Sequence, residues 1–227
     1  MSDKKQNFQK GFRQKFTKVK TAKGRKASST KWLQRQLNDQ FTILAKKNNY
    51  RSRAAFKLIE IDDKFKLLKK AKFILDLGCA PGGWLQIIYE RNSKAKIIGV
   101  DLLAVEPVEN INFIQGDFTN IKIQSEILTL TNNRKIDLIL SDIAPDNCGH
   151  KETDHLRLIE IVEKILIFLH ENLAEGGNFV CKVFFGSELE LLQKKYKKYF
   201  KKISFFKPDS SRKESKEQFM ICSGFKK

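Results

Sequence analysis

An α/β fold, with a mostly parallel sheet and helices on both faces, is predicted by three features of the sequence. Apolar runs suited to strands alternate with helical patterns across residues 72–200. Those runs are nearly continuously apolar, which fits a sheet covered on both sides. A glycine-rich turn, Asp76-Leu77-Gly78-Cys79-Ala80-Pro81-Gly82-Gly83-Trp84, links the run Phe73-Ile74-Leu75 to the helical pattern Leu85-Gln86-Ile87-Ile88-Tyr89. Strand, glycine turn and helix together form the opening unit of a nucleotide-binding domain.

The elements are expected in this order. Ser29 or Thr30 caps a first helix through Trp32, Leu33 and Leu37. Tyr50–Ile61 is an amphipathic helix with Phe56, Leu58 and Ile59 inward, and Arg53 and Lys57 share one of its faces. Lys72–Leu77 is the first strand and Gly82–Arg91 a helix. Ala95–Asp101 and Asn112–Gln115 are strands, Ser125–Leu130 is helical, and Ile136–Asp142 is the fourth strand. A long helix spans Asp154–Asn172. Gly176-Gly177 turns the chain into a fifth strand, Asn178–Phe185. A helix over Ser187–Phe200 and two last strands, Ile203–Phe206 and Gln218–Ser223, complete the domain. Parallel strands joined by helices cross over right-handedly. No internal repeat and no second domain is visible.

The chain has 227 residues, enough for one domain with a tail. Its net charge is +18, which calls for a polyanionic partner, most simply nucleic acid. Lys or Arg occupies eleven of residues 1–31 against a single acid, Asp3. Residues 1–28 therefore read as a basic, disordered tail that tethers RNA, and 29–227 as the folded domain. No apolar run reaches about 18 residues and no secretory signal is visible, so membrane attachment is not expected and a cytoplasmic location is. Cys79, Cys148, Cys181 and Cys222 are widely spaced, and His150, His155 and His170 lack metal-ligand spacing. Reduced thiols and no metal follow.

The turn is D-x-G-x-x-P-G-G-W and not the G-x-G-x-x-G of a dinucleotide site. An acid before it and an aromatic after it suit a cationic, sulfonium-bearing ligand, so S-adenosylmethionine is favoured over NAD. A tight turn in an ordinary α/β protein is the competing explanation. Ligands of open α/β sheets bind beyond the carboxyl ends of the strands. Asp101, Asp117 and Asp142 all fall there: the first suits a ribose diol, the second an adenine amino group. Lys182 lies within the buried strand Phe179-Val180-Cys181-Lys182-Val183-Phe184, and buried lysines are rare unless paired. If the last strand runs antiparallel, Glu217 at its start reaches the same edge and meets Asp142 and Lys182.

With Lys57 added, these residues resemble the RrmJ/FtsJ (RlmE) family of ribosomal RNA 2′-O-methyltransferases. The likeness runs from about Ser29 to Lys226. It is carried by Ser28–Gln34, Arg51-Ser52-Arg53-Ala54, Phe56-Lys57-Leu58, Asp76–Trp84 and Asp101-Leu102-Leu103. It continues through Gln115-Gly116-Asp117-Phe118, Ser141-Asp142-Ile143-Ala144-Pro145, Lys182-Val183-Phe184 and Lys207–Arg212. The resemblance implies a Rossmann-like S-adenosylmethionine-dependent methyltransferase fold with a seven-stranded, mostly parallel sheet and an antiparallel last strand. It implies a catalytic tetrad of Lys57, Asp142, Lys182 and Glu217. Cofactor contacts would come from Gly82, Trp84, Asp101, Asp117 and Asp142. Cys79, Ala55 and Asp146 depart from the family's usual residues, outside the tetrad.

By resemblance the substrate is a uridine of the A-loop of large-subunit rRNA, methylated on the assembled 50S subunit by a monomer. Lys182 would serve either as general base or as a cation that orients the hydroxyl and steadies the developing oxyanion. A tRNA 2′-O-methyltransferase and a non-catalytic S-adenosylmethionine- and RNA-binding assembly factor are the alternatives. No aromatic sandwich for a methylated cap guanine is evident.

Overall fold

Strand β1 (Phe73–Leu77) lies mid-sheet, and its neighbours explain why it is so apolar. In the computed structural model, which describes residues 17–19, 24, 26–144, 151–186 and 188–227, β1 is flanked on both sides by parallel strands. One neighbour is β2 (Lys96–Asp101), beyond which lies β3 (Ile111–Gln115). The other is β4 (Ile136–Ser141), followed by β5 (Leu173–Phe184). The edge beyond β5 is formed by β6 (Phe200–Phe206) and β7 (Glu217–Phe225). Among the described residues the seven strands run in the order β3-β2-β1-β4-β5-β7-β6, and β7 alone runs opposite to the other six.

Successive strand residues face opposite sides, so each strand feeds two cores. Leu75, Leu77, Ile139, Cys181 and Val183 belong to one core. It is covered by α5 (Ile121–Leu130), α6 (Lys151–Asn172) and α7 (Glu188–Lys197). Ile74, Leu138, Leu140, Val180, Phe219 and Ile221 belong to the other. Its cover is α2 (Gln40–Lys47), α3 (Ala54–Phe65) and α4 (Gly83–Arg91). That alternation decides the site. Asp142, Lys182 and Glu217 each sit an even number of residues from a member of the second core, so all three point to the side that α3 covers.

Several expected boundaries are corrected. The first helix, α1, spans Ala27–Asn38 and has no side-chain cap. Thr30 lies inside its first turn, with its hydroxyl on the Lys26 carbonyl. Thr17 and Val19 of the expected tail donate backbone N–H groups to Asn38 and Gln34 of α1. Helix α2 was not anticipated; Asp39 caps it by accepting from Thr42 N, and Phe41 and Ala45 are its buried i, i+4 pair. Helix α3 starts at Ala54, because Tyr50–Arg53 are held in a bend against α4. Helix α5 starts at Ile121, capped by Asn120. Gly176 and Gly177 do not precede β5 but form an irregularity within it: Ile136 pairs with Leu173, and Leu138 with Asn178. Helix α7 ends at Lys197, and Phe200 opens β6. Most of the expected basic tail, Cys148, Asp146 and His150 lie outside the described residues.

Candidate active site

Beyond the carboxyl ends of β1, β2 and β4 lies a cavity of about 510 Å³. Gly78, Ala80, Asp101, Leu102, Leu103, Asp117 and Asp142 line it from the sheet side, and Arg157, Glu160 and Lys164 from α6. Gly78 is required at its place: φ is +76°, and a Cβ would meet Ile143 atoms at 2.7–2.9 Å, two of them backbone. Asp101 fixes two walls at once. Its Oδ2 accepts from Ala80 N at 2.8 Å and its Oδ1 from Leu103 N at 2.9 Å. Asp117 accepts from Thr119 N at 2.8 Å.

The cluster of Lys57, Asp142, Lys182 and Glu217 adjoins this cavity through Asp142. Lys57 Nζ donates to Glu217 Oε2 at 2.9 Å, lies equally close to Oε1, and is 3.6 Å from Asp142 Oδ2. Lys182 Nζ donates to the Asp142 carbonyl at 2.6 Å and lies 3.2 Å from Asp142 Oδ1. Their side chains are 6–15% exposed. Burial by itself would lower the pKa of Lys57, but the carboxylates of Asp142 and Glu217 outweigh it and raise the value. Burial would raise Asp142, and the ammonium groups of Lys182 and Lys57 bring it below the ordinary range instead. Two cations and two anions therefore share one sheltered, neutral group.

The register explains how residues so far apart in sequence meet. Phe184 of β5 pairs with Glu217 of β7, so the antiparallel strand begins where β4 and β5 end. Helix α3 supplies the rest. Arg53, Lys57 and Glu60 follow at four- and three-residue spacing and share a face. Glu60 accepts from Asp209 N at 2.5 Å and Ser210 N at 3.0 Å, and Arg53 pairs with Asp39 and donates to the Ser210 carbonyl. Ser211 Oγ then donates to Glu217 Oε1 at 2.8 Å. The β6–β7 loop is thereby held against α3, and it holds Glu217. Sequence reading missed this role of Glu60, Ser210 and Ser211; the helical spacing of Arg53, Lys57 and Glu60 was the available signal. It also missed Arg157, Glu160 and Lys164, whose i, i+3, i+7 spacing puts them on one face of α6.

Of the expected site residues, Asp101, Asp117 and Asp142 line the cavity, and Asp142, Lys57, Lys182 and Glu217 form one cluster. Gly82 and Trp84 do not line the cavity. Gly82 caps α4 at φ +104°. The Trp84 ring is 3% exposed, donates Nε1–H to the Ala54 carbonyl at 2.8 Å and packs 5.7 Å from Phe219. Its aromatic ring is thus part of the core under the tetrad and not a platform for a flat ligand. Asp76, the acid before the turn that was expected to suit a cationic ligand, is fully buried on the tetrad side of β1, and neither carboxylate oxygen has a hydrogen-bond partner among the described residues.

Comparison with known proteins bears on this arrangement. Residues 50–225 match the model of a family described as FtsJ-like methyltransferase. The ribosomal RNA large subunit methyltransferase E of Zymomonas mobilis is 46% identical over 209 residues, which cover 92% of this chain and 94% of that protein. The protein of the same name from Novosphingobium aromaticivorans is 48% identical with equal coverage. A crystal structure described as a ribosomal RNA methyltransferase of Plasmodium falciparum is 39% identical and superposes with a TM-score of 0.71. It covers 78% of this chain and 98% of that one.

Proposed function

The chain belongs to the FtsJ-like methyltransferase family, and on that footing we propose that it methylates a ribose 2′-hydroxyl of a uridine in large-subunit rRNA. The methyl donor is S-adenosylmethionine, the target lies in the A-loop of the assembled 50S subunit, and the enzyme acts in the cytoplasm as a monomer. Among the described residues no helix is long and apolar enough to cross a membrane. The observation that carries the reading is the placement of Asp142, which both lines the cavity and joins Lys57 to Lys182.

The cavity suits the donor. Asp101 and Asp117 present carboxylates where a ribose diol and an adenine amino group would be held. Asp101 and Asp142 put negative charge on one side, and Asp76 beside them is pushed well above the ordinary carboxyl range, first by burial and then by those two. A cationic ligand offsets that charge. Gly82 and Trp84, at the start of α4, would contribute backbone rather than side-chain contacts. When bound, S-adenosylmethionine supplies an electrophilic methyl group on a sulfonium.

The residues of the chain do the remaining work. An ammonium carries three N–H donors; Lys182 gives one to the Asp142 carbonyl at 2.6 Å, and the Asp142 carboxylate lies 3.2 Å away as an ion-pair partner. That leaves N–H capacity for the oxygen of an incoming hydroxyl. That favours a cation that orients the hydroxyl and stabilises the charge developing on it over a general base. Asp142 fixes the Lys182 ammonium, and Lys57 with Glu217 fixes Asp142. A poor nucleophile gains most from such positioning.

The test incubates the protein and its Lys182→Ala variant with methyl-labelled S-adenosylmethionine. Substrates are unmodified large subunits, free large-subunit rRNA and tRNA, and products are identified as nucleosides. Labelled 2′-O-methyluridine on the subunit is expected, with at least about a 10²-fold loss in the variant and donor binding retained. Label on tRNA alone would discard the ribosomal target. Donor binding without any label would favour an assembly factor, and full turnover by the variant would overturn the tetrad.

A further inference from the structure

Arg51 belongs to a run of cations, Lys46, Lys47, Arg51, Arg53 and Lys57, in a chain of net charge +18. Charge alone would make it a ligand for RNA phosphate. The geometry points elsewhere: we propose that Arg51 is a positioning residue for the cofactor cavity, whose guanidinium holds the loop after β2 against the glycine turn and so sets affinity for the methyl donor. The proposal rests on the reading of that cavity as the S-adenosylmethionine site.

The guanidinium donates to three neutral backbone carbonyls. Nη1 reaches Glu106 O at 2.5 Å and Pro81 O at 3.4 Å, and Nη2 reaches Pro107 O at 2.9 Å. Pro81 belongs to the glycine turn; Glu106 and Pro107 belong to the loop that follows Asp101. One planar fork therefore spans two segments that are otherwise joined at their other end by Asp101, which accepts from both Ala80 N and Leu103 N. Between those two ties lie Leu102 and Leu103. They are 66% and 68% exposed and line the cavity, an arrangement that suits apolar contact with a bound ligand.

The base of the strut is itself fixed. Arg51 N donates to Gln86 Oε1 at 2.9 Å, and Gln86 Nε2 donates to the Asn49 carbonyl at 2.9 Å. Tyr50 OH donates to Glu90 Oε2 at 3.0 Å. Gln86 and Glu90 lie on α4. The turn, in its turn, leaves room for the guanidinium: a Cβ on Gly82 would fall 2.6 Å from Arg51 Nη1 and 3.1 Å from a Val105 methyl. The segment that precedes the Lys57 helix thus braces the far wall of the donor cavity. Lysine cannot replace it, because a single ammonium on a flexible stem does not reproduce a fork that bonds in two directions.

The protein and its Arg51→Lys and Arg51→Met variants are to be compared in four measurements. These are calorimetric binding of S-adenosylmethionine, binding of large-subunit rRNA as a function of salt, amide hydrogen exchange across residues 102–110, and steady-state kinetics. Both variants are expected to raise the dissociation constant and KM for S-adenosylmethionine by about tenfold or more. Exchange in the 102–110 loop should accelerate, with kcat at saturating donor and rRNA affinity each within about twofold of wild type. Unchanged donor affinity overturns the proposal. So does loss of rRNA affinity in Arg51→Met but not Arg51→Lys, with a salt slope shallower by about one, since that is the signature of a phosphate contact. Collapse of both variants' melting transitions would make Arg51 a general structural residue and also overturn it. A wild-type protein that fails to bind S-adenosylmethionine would instead defeat the functional reading, and the wild-type titration tells the two apart.

Discussion

A double-mutant cycle on Lys57 and Glu217 tests the electrostatic account of the tetrad most directly. Lys57 Nζ is 2.9 Å from Glu217 and 3.6 Å from Asp142. At an effective dielectric of about 20 those separations give gross attractions of roughly 6 and 5 kcal/mol. Desolvation of side chains only 13–15% exposed cancels most of that. A coupling energy of about 2 kcal/mol should survive, within the range of about 0.5–3 kcal/mol for residues in contact. Glu217→Gln leaves Lys57 beside Asp142, so the single change should cost about 1–3 kcal/mol, less than the 3–5 or so of a stranded buried charge. Lys57→Met leaves Glu217 with the Ser211 hydroxyl and should cost a similar amount, and the double variant clearly less than the sum.

Urea unfolding of all four proteins near neutral pH gives the cycle. The pH dependence gives a second reading. Lys57 is raised above its ordinary 10.5, so its contribution is complete below that value and is lost as pH rises through the higher folded pKa. Asp142 is lowered from 3.8, so its contribution is complete above that value and is lost as pH falls through the lower folded pKa. The coupling should therefore be flat across the neutral range. A coupling energy below about 0.5 kcal/mol, or one that changes across that range, would refute the reasoning.

Two further outcomes follow from the cavity wall. Gly78→Ala forces a side chain into φ +76° and a Cβ to within 2.7–2.9 Å of Ile143. It should destabilise the fold by about 1–3 kcal/mol and weaken donor binding, and a variant that melts like wild type would contradict the close approach. Asp76→Asn removes a carboxyl whose pKa is raised on folding, first by burial and then by Asp142 and Asp101. Such a group favours the folded state below its ordinary 3.8 and weakens it as pH climbs toward the folded value, by about 1.4 kcal/mol per unit. The variant's stability relative to wild type should therefore grow as pH rises above the ordinary 3.8, and a constant difference in urea melts would refute the assignment.

The sequence by itself determined the parts whose signal is local. The glycine turn, the apolar strands and the acids at their ends follow from residue type and short-range spacing, and so does the order of strand and helix. Lys182 was conspicuous because an ammonium inside an apolar strand demands a partner. What sequence patterning misplaced were the features where tertiary contact overrides local preference. Tyr50–Arg53 carry a helical pattern yet bend, because Arg51 and Tyr50 are bonded to α4 and to the loop after β2. Gly176-Gly177 read as the turn into the fifth strand yet lie within β5, where its pairing with β4 is irregular. Trp84 looked like a ligand platform, and its ring went into the core because α3 offers it the Ala54 carbonyl and β7 offers it Phe219. Only the folded chain decides that the β6–β7 loop is held by Arg53 and Glu60 while Ser211 orients Glu217. Strand parity puts Asp142, Lys182 and Glu217 on one side of the sheet, but a helix has to cover that side before Lys57 can complete the group. That covering is a long-range packing choice, and no local spacing encodes it.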